Sequence, residues 1–366
     1  MATGKDNRKK VAVALSGGVD SSVAAALLVD QGFDVIGICM QLWSEPGCEL
    51  ENRCCTPETR AGARRQAETL NIPFHILDAS GAFRDHVVQA FLDGYACGDT
   101  PNPCILCNRF IKWGALLEFA REMGAEMVAT GHYARIRNNP SGEFELWRGA
   151  DPNKDQSYFL SLLTQGHLAH TLLPLGKMKK AQVRSLARER GLPAADLPES
   201  QDLCFLGGVD YRSFLLKYVP QAAEPGEVVT RDGRLLGAHQ GLAFYTIGQR
   251  KGLPASSRPL YVIQKNLKYN RLVAGFADEL GQQELQTGMV NWIAGRPPDA
   301  VIDAQVMIRS RAVPVSAMVQ PLTDGGARVR FNQPLRDITP GQMAVFYVGD
   351  RVLGGGIIQP PEAWIN

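Results

Sequence analysis

An apolar run followed at once by two glycines is the feature that most restricts the fold of this chain. Residues 11–15 read Val-Ala-Val-Ala-Leu, and residues 16–22 continue Ser-Gly-Gly-Val-Asp-Ser-Ser. A strand that stops at glycines and reopens as a helix brings backbone N–H groups close to an anion, and the positive end of the helix faces that charge. The loop lacks the lysine of G-x-x-x-x-G-K-[ST], which excludes the kinase-type P-loop. The sequence therefore predicts a different phosphate-binding turn, the alternative being an ordinary strand–helix turn capped by serine.

The same loop closely resembles that of the ATP pyrophosphatases. That family cleaves ATP between the α- and β-phosphates, adenylates a carbonyl oxygen and lets a nucleophile displace AMP. The resemblance implies that Asp20 helps to hold Mg²⁺. It also implies that Ser16, Ser21 and Ser22 donate hydrogen bonds to the leaving pyrophosphate.

Predicted strands and helices alternate through the first half of the chain. Strands are predicted at 11–15, 34–42, 74–77 and 127–130, and helices at 22–31, 57–70 and 83–95. Thr56 is the expected N-cap of the second helix, with Pro57 at its first position. Such alternation favours an α/β fold in which a doubly wound parallel sheet carries helices on both faces. Ligands bind these sheets at the carboxyl ends of the strands, where Ser16 and Gly131 both lie.

The last third of the chain is rich in short β-strands. Asp232-Gly233 predicts a hairpin between residues 228–229 and 235–236. Helices are predicted at 179–190 and 211–218, and later strands at 260–264, 271–274, 304–308, 327–331, 343–348 and 352–358. We expect a catalytic domain over 1–219, a small central β-rich domain over 220–281 and a C-terminal β-barrel domain over 282–366.

Composition indicates where the protein is located, but it says little about what the protein binds. Of the 366 residues 45% are hydrophobic, yet no run approaches the ~18 apolar residues of a membrane span. The polar N-terminus lacks a signal region, so we expect a cytoplasmic protein with no membrane partner. A net charge of +2 says little about nucleic-acid binding, since basic residues can gather on one face. Eight cysteines without an export signal favour thiol chemistry or metal ligation over disulfides.

A pair of cysteines gives the second strong signal. Asn102 can cap a helix with Pro103 at its first position, which places Cys104 in the first turn. Cys107 lies three residues further along, over the same face of an α-helix. Thiols near a helix N-terminus lose their protons more easily, which favours thiolate. Cys204 is a third candidate, about a hundred residues away.

Five short motifs occur together along the chain. They are Pro101-Asn102-Pro103, Cys107-Asn108, Gly131-His132-Tyr133, Lys154-Asp155-Gln156-Ser157-Tyr158-Phe159 and Tyr245-Thr246-Ile247-Gly248-Gln249-Arg250. As a set, in this order, they resemble the bacterial tRNA-specific 2-thiouridylases, the MnmA family, over nearly the whole chain. The resemblance implies ATP-dependent 2-thiolation of the wobble uridine in the tRNA anticodon, by adenylation of the C2 oxygen and its replacement with sulfur.

The resemblance implies a role for each matched position. Residues expected to hold ATP are Ala14, Leu15, Ser16, Gly17, Gly18, Val19, Asp20, Ser21, Met40 and Gly131. Residues expected to face the target base are Asn102, Pro103 and Cys104. Residues expected to touch the tRNA are His132, Lys154, Asp155, Gln156, Ser310, Arg311 and Gln342. Basic residues expected to contact phosphates, where binding weakens with salt, are Lys177, Lys179, Lys180, Arg184, Arg188, Arg309 and Arg311.

Two routes for the sulfur stay open. In the family's persulfide account, Cys204 receives sulfur from a donor such as a cysteine desulfurase or a sulfur relay protein, and Cys107 assists its release or attacks the activated base. Many relatives carry aspartate where this chain has Cys104, so here a third thiol is added. Three cysteines can hold a [4Fe–4S] cluster with one iron open, although four are usual. A structural zinc site fits less well, because closed zinc sites use four ligands.

Two functions of other kinds compete with thiolation. An amidating synthetase would keep the ATP chemistry but would not need Cys104, Cys107 and Cys204, and its usual glutaminase domain has no counterpart in the sequence. A non-catalytic RNA-binding or iron–sulfur protein would keep the glycine loop as a relic. The intact loop argues against it.

Cys48, Cys54 and Cys55 fall in a polar segment predicted to form a loop over the site, with an incidental role favoured over sulfur relay. The resemblance thus implies a tRNA-uridine 2-sulfurtransferase that uses ATP and Mg²⁺.

Overall fold

The computed structural model describes residues 8–47, 56–197 and 203–361. The α-helices in these ranges are α1 (Val19–Asp30), α2 (Pro57–Thr69), α3 (Ser80–Phe83), α4 (Gln89–Ala96), α5 (Pro103–Leu106), α6 (Leu116–Glu122), α7 (Gln165–Ala169), α8 (Lys180–Glu189) and α9 (Tyr211–Tyr218). Two stretches, Arg84–Val88 and Cys107–Ala115, are π-helical. Within the described ranges no helix combines the length and apolar character needed to cross a membrane.

Strands alternate with these helices at first and then dominate the chain. They are β1 (Lys10–Ala14), β2 (Asp34–Gln41), β3 (Phe74–Asp78), β4 (Met127–Ala129), β5 (Ala134–Asn138), β6 (Phe144–Arg148), β7 (Thr171–Leu172), β8 (Gly226–Val229), β9 (Leu235–His239), β10 (Tyr261–Asn266), β11 (Arg271–Gly275), β12 (Gln282–Thr287), β13 (Asn291–Trp292), β14 (Ile302–Met307), β15 (Val315–Pro321), β16 (Ala327–Leu335), β17 (Met343–Val348) and β18 (Arg351–Ile357).

The described chain divides into two compact units. Unit 1 contains the residues up to 86 and those from 104 to 209, whereas unit 2 contains 87–103 and the residues from 210 onward. The sequence did not indicate that 87–103 would group with the C-terminal segments. The three-domain division at 219 and 281 stays a prediction.

Unit 1 is built on a parallel sheet with the strand order β3-β2-β1-β4-β7. Alternate residues of β1 face opposite sides of this sheet. Val11 and Val13 pack with buried residues of α1 and α2, while Ala12 packs with Leu116 and Ala120 of α6. The predicted α/β fold with helices on both faces is confirmed. Strand order reverses beside β1, which is where such sheets bind ligands.

Local signals account for the helices that frame the loop after β1. Helix α1 begins at Val19, three residues before the predicted start, and is followed by Gly32 at φ +81°. Helix α2 has the predicted cap, because the Thr56 side chain accepts a hydrogen bond from the backbone N–H of Thr59 at 3.1 Å.

Two predicted helices are interrupted by π-helical turns. The helix predicted over 83–95 is divided among α3, the π-helical residues 84–88 and α4. The α-helix that begins at Pro103 lasts only to Leu106, and the chain is π-helical from Cys107. A π-helix hydrogen-bonds from residue i to i+5 and so changes the angular spacing of its side chains. The α-helical spacing assumed for Cys104 and Cys107 therefore ends at Leu106.

Unit 2 contains two β-sheets. In the first, ordered β10-β11-β8-β9, the antiparallel pair β8–β9 confirms the hairpin predicted at Asp232-Gly233. In the second, β12, β16, β15, β14, β17 and β18 follow one another as antiparallel neighbours. A bridge between Thr287 and Ile358 joins its two ends, and Phe331 and Phe346 fill the enclosed core. The predicted β-barrel is confirmed, although β12, β13 and β15 were not predicted as strands.

Candidate active site

The turn between β1 and α1 is held by its own hydroxyl groups. Ser21 Oγ accepts a hydrogen bond from the Ser16 backbone N–H at 3.2 Å and donates to the Gly18 carbonyl at 3.1 Å. The N-cap of α1, Gly18, provides no side-chain cap. The first N–H groups of α1 consequently remain suited to bind an anion. Ser22 is fully buried and its Oγ donates to the Val19 carbonyl at 3.1 Å, so its hydroxyl already has a partner in the loop and its bond to pyrophosphate stays a prediction.

One face of α2 forms the wall behind this turn. Gly17 has φ +76°, and a Cβ at that position would lie 3.0 Å from the Thr59 carbonyl oxygen. Gln66, which is 1% exposed, donates from Nε2 to the Gly17 carbonyl at 2.7 Å. Its Oε1 is buried and has no hydrogen-bond partner among the described residues. Sequence reasoning missed Gln66, although a glutamine between Ala63 and Ala67 on a buried helical stripe was a usable signal.

Gly131 brings the end of β4 against the first turn of α1. A Cβ on Gly131 would lie 2.8 Å from the Asp20 carbonyl carbon and 2.9 Å from the Ser21 backbone nitrogen. Only glycine allows this approach. The structure thus places two predicted ATP-binding segments side by side. Ala14, Leu15 and Val19 are buried in the same region, and Met40 lies half-buried near the end of β2.

The carboxylate of Asp20 is the electrostatic centre of the loop. Lys180 Nζ lies 2.7 Å from both of its oxygens, and the Tyr133 hydroxyl donates to Oδ1 at 2.7 Å. The expectation that Lys180 contacts tRNA phosphate is corrected, because its side chain is only 11% exposed and pairs with Asp20. The Asp20 side chain keeps 34% exposure. Carboxylate oxygens are ligands that Mg²⁺ prefers, so Asp20 fits its predicted role.

His132, the residue after Gly131, is buried in a hydrogen-bonded chain. Its Nδ1 lies 2.7 Å from Thr130 Oγ1 and its Nε2 lies 3.3 Å from Lys112 Nζ. Burial, reinforced by the Lys112 charge, holds the pKa of His132 well below its usual value. The ring is therefore neutral near pH 7. Lys112 also donates to Asn108 Oδ1 at 2.9 Å, which connects His132 to the residue after Cys107.

Two of the predicted tRNA contacts shape a loop of unit 1. Gln156 Oε1 accepts from the Tyr133 backbone N–H at 2.9 Å. Asp155, whose side chain is 8% exposed, accepts from the backbone N–H groups of Gly149 at 2.9 Å and Ser157 at 3.1 Å. Both side chains thus have structural partners, and their contact with tRNA stays a prediction, as does that of the half-buried Lys154.

The three candidate cysteines differ in exposure. Cys104 is exposed, while Cys107 and Cys204 are half-buried. The turn that carries Cys204 is anchored by Phe205, whose ring centroid lies 5.9 Å from that of Phe83 in α3. Helix α3 also packs against the π-helical stretch that begins at Cys107. Cys204 and Cys107 therefore lie on segments that pack on the same short helix.

The described cysteines do not form a metal-binding group. Across residues 8–47, 56–197 and 203–361, no three His, Cys, Asp or Glu side chains are gathered so as to hold a metal ion. A [4Fe–4S] cluster needs at least its three cysteines within reach of one cube. The structure therefore does not support the cluster expected at Cys104, Cys107 and Cys204. Cys48, Cys54 and Cys55 lie outside the described residues.

The remaining predicted positions lie in unit 2 or, for Ser310 and Arg311, in its barrel. Gln342 Nε2 donates to the Thr100 carbonyl at 2.6 Å, two residues before the predicted base-facing pair Asn102-Pro103. Burial raises the pKa of the neighbouring Asp99 to about 6, although the Lys265 charge opposes the shift. In the barrel, Arg309 donates to Thr339 Oγ1 at 2.6 Å. Ser310 is half-buried and Arg311 is exposed. Their contacts with tRNA stay predictions.

Three known families match successive parts of the chain. Residues 9–208 match the family described as the tRNA methyl transferase HUP domain. Residues 212–275 match the tRNA methyl transferase PRC-barrel domain, and residues 282–358 match the aminomethyltransferase beta-barrel domain.

Relatives match the chain over nearly its full length. The tRNA-specific 2-thiouridylase MnmA of Magnetococcus marinus is 48% identical over 353 residues, which cover 96% of this chain and 99% of the relative. The protein of the same name from Chloroflexus aggregans is 45% identical over 354 residues, covering 96% and 99%. That of a Synechococcus strain is 47% identical over 360 residues, covering 97% and 96%.

Proposed function

Since the chain belongs to the family of tRNA-specific 2-thiouridylases and is a tRNA-uridine 2-sulfurtransferase, we propose that it activates the C2 oxygen of the wobble uridine with ATP and replaces it with sulfur through Cys204 and Cys107. One observation carries this mechanism. The anion-binding loop after β1 and both cysteines belong to the same compact unit.

The loop and its neighbours perform the adenylation step. The N–H groups in the first turn of α1 bind phosphate oxygens, and Gly131, which has no Cβ, lets the end of β4 pack directly against that turn. Asp20 would hold Mg²⁺, which would supply positive charge beside the phosphates. The uridine C2 oxygen forms a bond to the α-phosphorus, the bond to the bridging oxygen breaks, and pyrophosphate leaves with the electron pair.

The two cysteines carry the sulfur. A cysteine desulfurase or a sulfur relay protein adds one sulfur atom to Cys204, giving a persulfide. The terminal sulfur attacks C2, the C2–O bond breaks, and AMP leaves with its electron pair. The Cys107 thiolate then attacks Cys204 Sγ and breaks the persulfide bond, which leaves sulfur on C2 and a disulfide between the two cysteines. An external thiol reductant reopens that disulfide for the next turnover.

The geometry favours this route over the cluster and over the other functions. The segments of Cys107 and Cys204 both pack on α3, while the described residues gather no cluster ligands. An amidating synthetase would have no use for these thiols. The partner is the tRNA anticodon stem-loop, whose target base must turn out of its stack to reach the unit 1 site. We place this reaction in the cytoplasm, where its tRNA substrate is found.

Cysteine substitutions test the mechanism. We expect Cys107→Ser and Cys204→Ser each to abolish 2-thiouridine formation, measured by mass spectrometry of digested tRNA, while tRNA affinity stays near wild type. Cys97→Ser is the matched control, because Cys97 is an exposed cysteine of unit 2 with no assigned role. ATP–pyrophosphate exchange in the presence of tRNA should survive in all three variants. Wild-type levels of 2-thiouridine from Cys107→Ser or Cys204→Ser would overturn the persulfide mechanism.

A further inference from the structure

The loop after β1, residues 16–22, contains no cationic side chain to balance the charge of the pyrophosphate that the proposed reaction releases. Cleavage between the α- and β-phosphates releases pyrophosphate, which carries several negative charges. In a kinase-type P-loop a lysine in the loop itself reaches the β- and γ-phosphates. Residues 16–22 of this chain contain no lysine or arginine. A cation from elsewhere in the fold has to take that place if the proposed ATP chemistry holds.

Helix α8 delivers such a cation to the first turn of α1. The buried residues of α8 are Lys180, Val183 and Ala187, which form one helical stripe, and the two apolar members pack with Val19 and Val23 of α1. The start of α8 is fixed because the Lys180 backbone N–H donates to Asp151 Oδ2 at 2.9 Å. The Lys180 ammonium group therefore reaches Asp20 from a rigid position, at 2.7 Å from each oxygen.

The electrostatics of this position suit an incoming anion. The N-terminus of a helix carries partial positive charge, so it disfavours a neighbouring ammonium group. Lys180 is 9% exposed, and burial of a cation is costly unless it is paired. The Asp20 carboxylate, 2.7 Å from the ammonium group, offsets positive charge at this position, and it is also the predicted Mg²⁺ ligand. A phosphate anion would satisfy the ammonium group and the helix terminus together.

We propose that Lys180 binds the β- and γ-phosphates of ATP and stabilises pyrophosphate as it leaves. Without nucleotide, Lys180 pairs with Asp20. When ATP binds together with Mg²⁺, the Asp20 carboxylate would become a ligand of Mg²⁺. The ammonium group of Lys180 then donates its hydrogen bonds to phosphate oxygens instead of to Asp20. No proton is transferred, since the electron pair of the broken P–O bond stays on pyrophosphate. This inference rests on the proposed use of ATP.

Calorimetric titration of the full chain with three ligands tests the assignment. The probes are ATP with Mg²⁺, inorganic pyrophosphate with Mg²⁺, and AMP. A charge-assisted hydrogen bond is lost in Lys180→Met, so we expect its affinities for ATP and pyrophosphate to fall about 10- to 100-fold. Its affinity for AMP, which lacks the β- and γ-phosphates, should change less than about threefold. Lys180→Arg keeps the charge and should recover part of the pyrophosphate affinity.

Two further variants separate phosphate binding from support of the fold. Lys10 forms an ion pair with Asp34, 3.7 Å apart, at the opposite end of β1, so Lys10→Met is the matched control and should bind all three ligands like wild type. The double variant Lys180→Met/Asp20→Asn removes both charges of the pair. It should stay folded by circular dichroism and still fail to bind pyrophosphate tightly.

The outcomes distinguish the inference from the proposed function. Wild-type pyrophosphate affinity in Lys180→Met, or an equal loss of AMP affinity, would overturn the role of Lys180 while leaving ATP chemistry intact. Pyrophosphate affinity restored in the double variant would also overturn it. A wild-type protein that binds neither ATP nor pyrophosphate would overturn the proposed function and the inference together.

Discussion

The amide nitrogen of Gln66 donates to the carbonyl oxygen of Gly17 at 2.7 Å, while Gln66 Oε1 stays buried without a hydrogen-bond partner among the described residues. The orientation of the Gln66 amide therefore satisfies the loop carbonyl and leaves the amide oxygen of Gln66 unsatisfied. Because Nε2 also lies 3.4 Å from the Gly18 carbonyl, Gln66 fixes both glycine peptide groups. Their orientation decides where the next N–H groups of α1 point.

Replacement of Gln66 by methionine should weaken the loop more than the fold. Gln66→Met keeps the side-chain volume but leaves the Gly17 carbonyl without its donor, which costs about 1–2 kcal/mol of the free energy of unfolding. We expect the KM for ATP to rise several-fold in the thiolation assay with a smaller change in kcat. Urea denaturation measures the first effect and steady-state kinetics the second.

The control for Gln66 is a glutamine on the surface. Gln89 is exposed and its Nε2 donates to Asp93 Oδ1 at 2.8 Å. Gln89→Met should change the free energy of unfolding by less than about 0.5 kcal/mol and leave the KM for ATP unchanged. Equal behaviour of the two methionine variants would show that Gln66 does not position the loop.

Gly131→Ala should damage nucleotide binding through a steric clash. The new Cβ would lie 2.8 Å from the Asp20 carbonyl carbon and 2.9 Å from the Ser21 nitrogen, both backbone atoms that cannot swing aside. We expect a loss of about 1–3 kcal/mol in the free energy of unfolding and a fall of more than about tenfold in ATP affinity. Thermal denaturation and calorimetry measure these changes. Gly81→Ala, where a Cβ meets nothing within 4 Å, should leave both unchanged or slightly raise stability.

Stability should fall in mild acid partly because of His132. Burial and the Lys112 charge lower the pKa of His132 in the folded state, so below about pH 6.5 the unfolded chain binds a proton that the folded chain does not. The stabilising contribution is therefore complete above about pH 6.5 and is lost as the pH falls below it. Its slope is at most about 1.4 kcal/mol per pH unit.

The variant His132→Gln isolates this contribution. His167 and His239 also have pKa values lowered by burial and add to the same trend, so the informative quantity is the difference between wild type and variant. Urea denaturation between pH 5 and 8 should show a shallower pH dependence for His132→Gln. The variant Gln89→Met, which removes no titratable group from an exposed position, should keep the wild-type slope. Parallel curves for wild type and His132→Gln would refute the assignment.

Conversion of Cys104 to aspartate, the residue that the family resemblance implies at this position, should be tolerated. Cys104 is exposed, and the described residues gather no third ligand around it. We expect Cys104→Asp to keep at least about half of the thiolation activity, because the persulfide route uses Cys204 and Cys107. Anaerobically purified wild type should contain no stoichiometric iron or sulfide. If Cys104→Asp lost activity to the level of Cys107→Ser and the wild type contained bound iron, the result would contradict the persulfide mechanism and support the iron–sulfur cluster.

Features set by local sequence were predicted well. The strand before the glycine pair, the cap at Thr56 and the turn at Asp232-Gly233 each depend on a few adjacent residues, and each is present. Gly131 was placed at the ligand end of the sheet for a related reason, because the alternation of strands and helices fixes which strand ends meet.

Features set by distant partners were missed. Lys180 was grouped with its basic neighbours, yet its position on the apolar stripe with Val183 turns it toward Asp20, 160 residues away. The π-helical turn at Cys107 leaves no mark in residue preferences, because its i to i+5 bonds suit the same residues as an α-helix. The β5–β6 hairpin was absent from the prediction, since its residues 134–148 mix charged and apolar types.

The grouping of residues 87–103 with the C-terminal half bears on how such a protein can be shortened or recombined. Within unit 2, the ring centroids of Phe91 and Phe214 lie 6.2 Å apart. Lys265 Nζ donates to the Gly98 carbonyl at 2.8 Å, and the Thr100 N–H donates to the Pro340 carbonyl at 2.9 Å. Truncation after residue 209 would strip that segment of these partners while leaving it joined to Cys104. Residues 1–209 are therefore not expected to work as an independent unit when they are transferred to another protein. Gene fusions that exchange the C-terminal modules must also exchange residues 87–103.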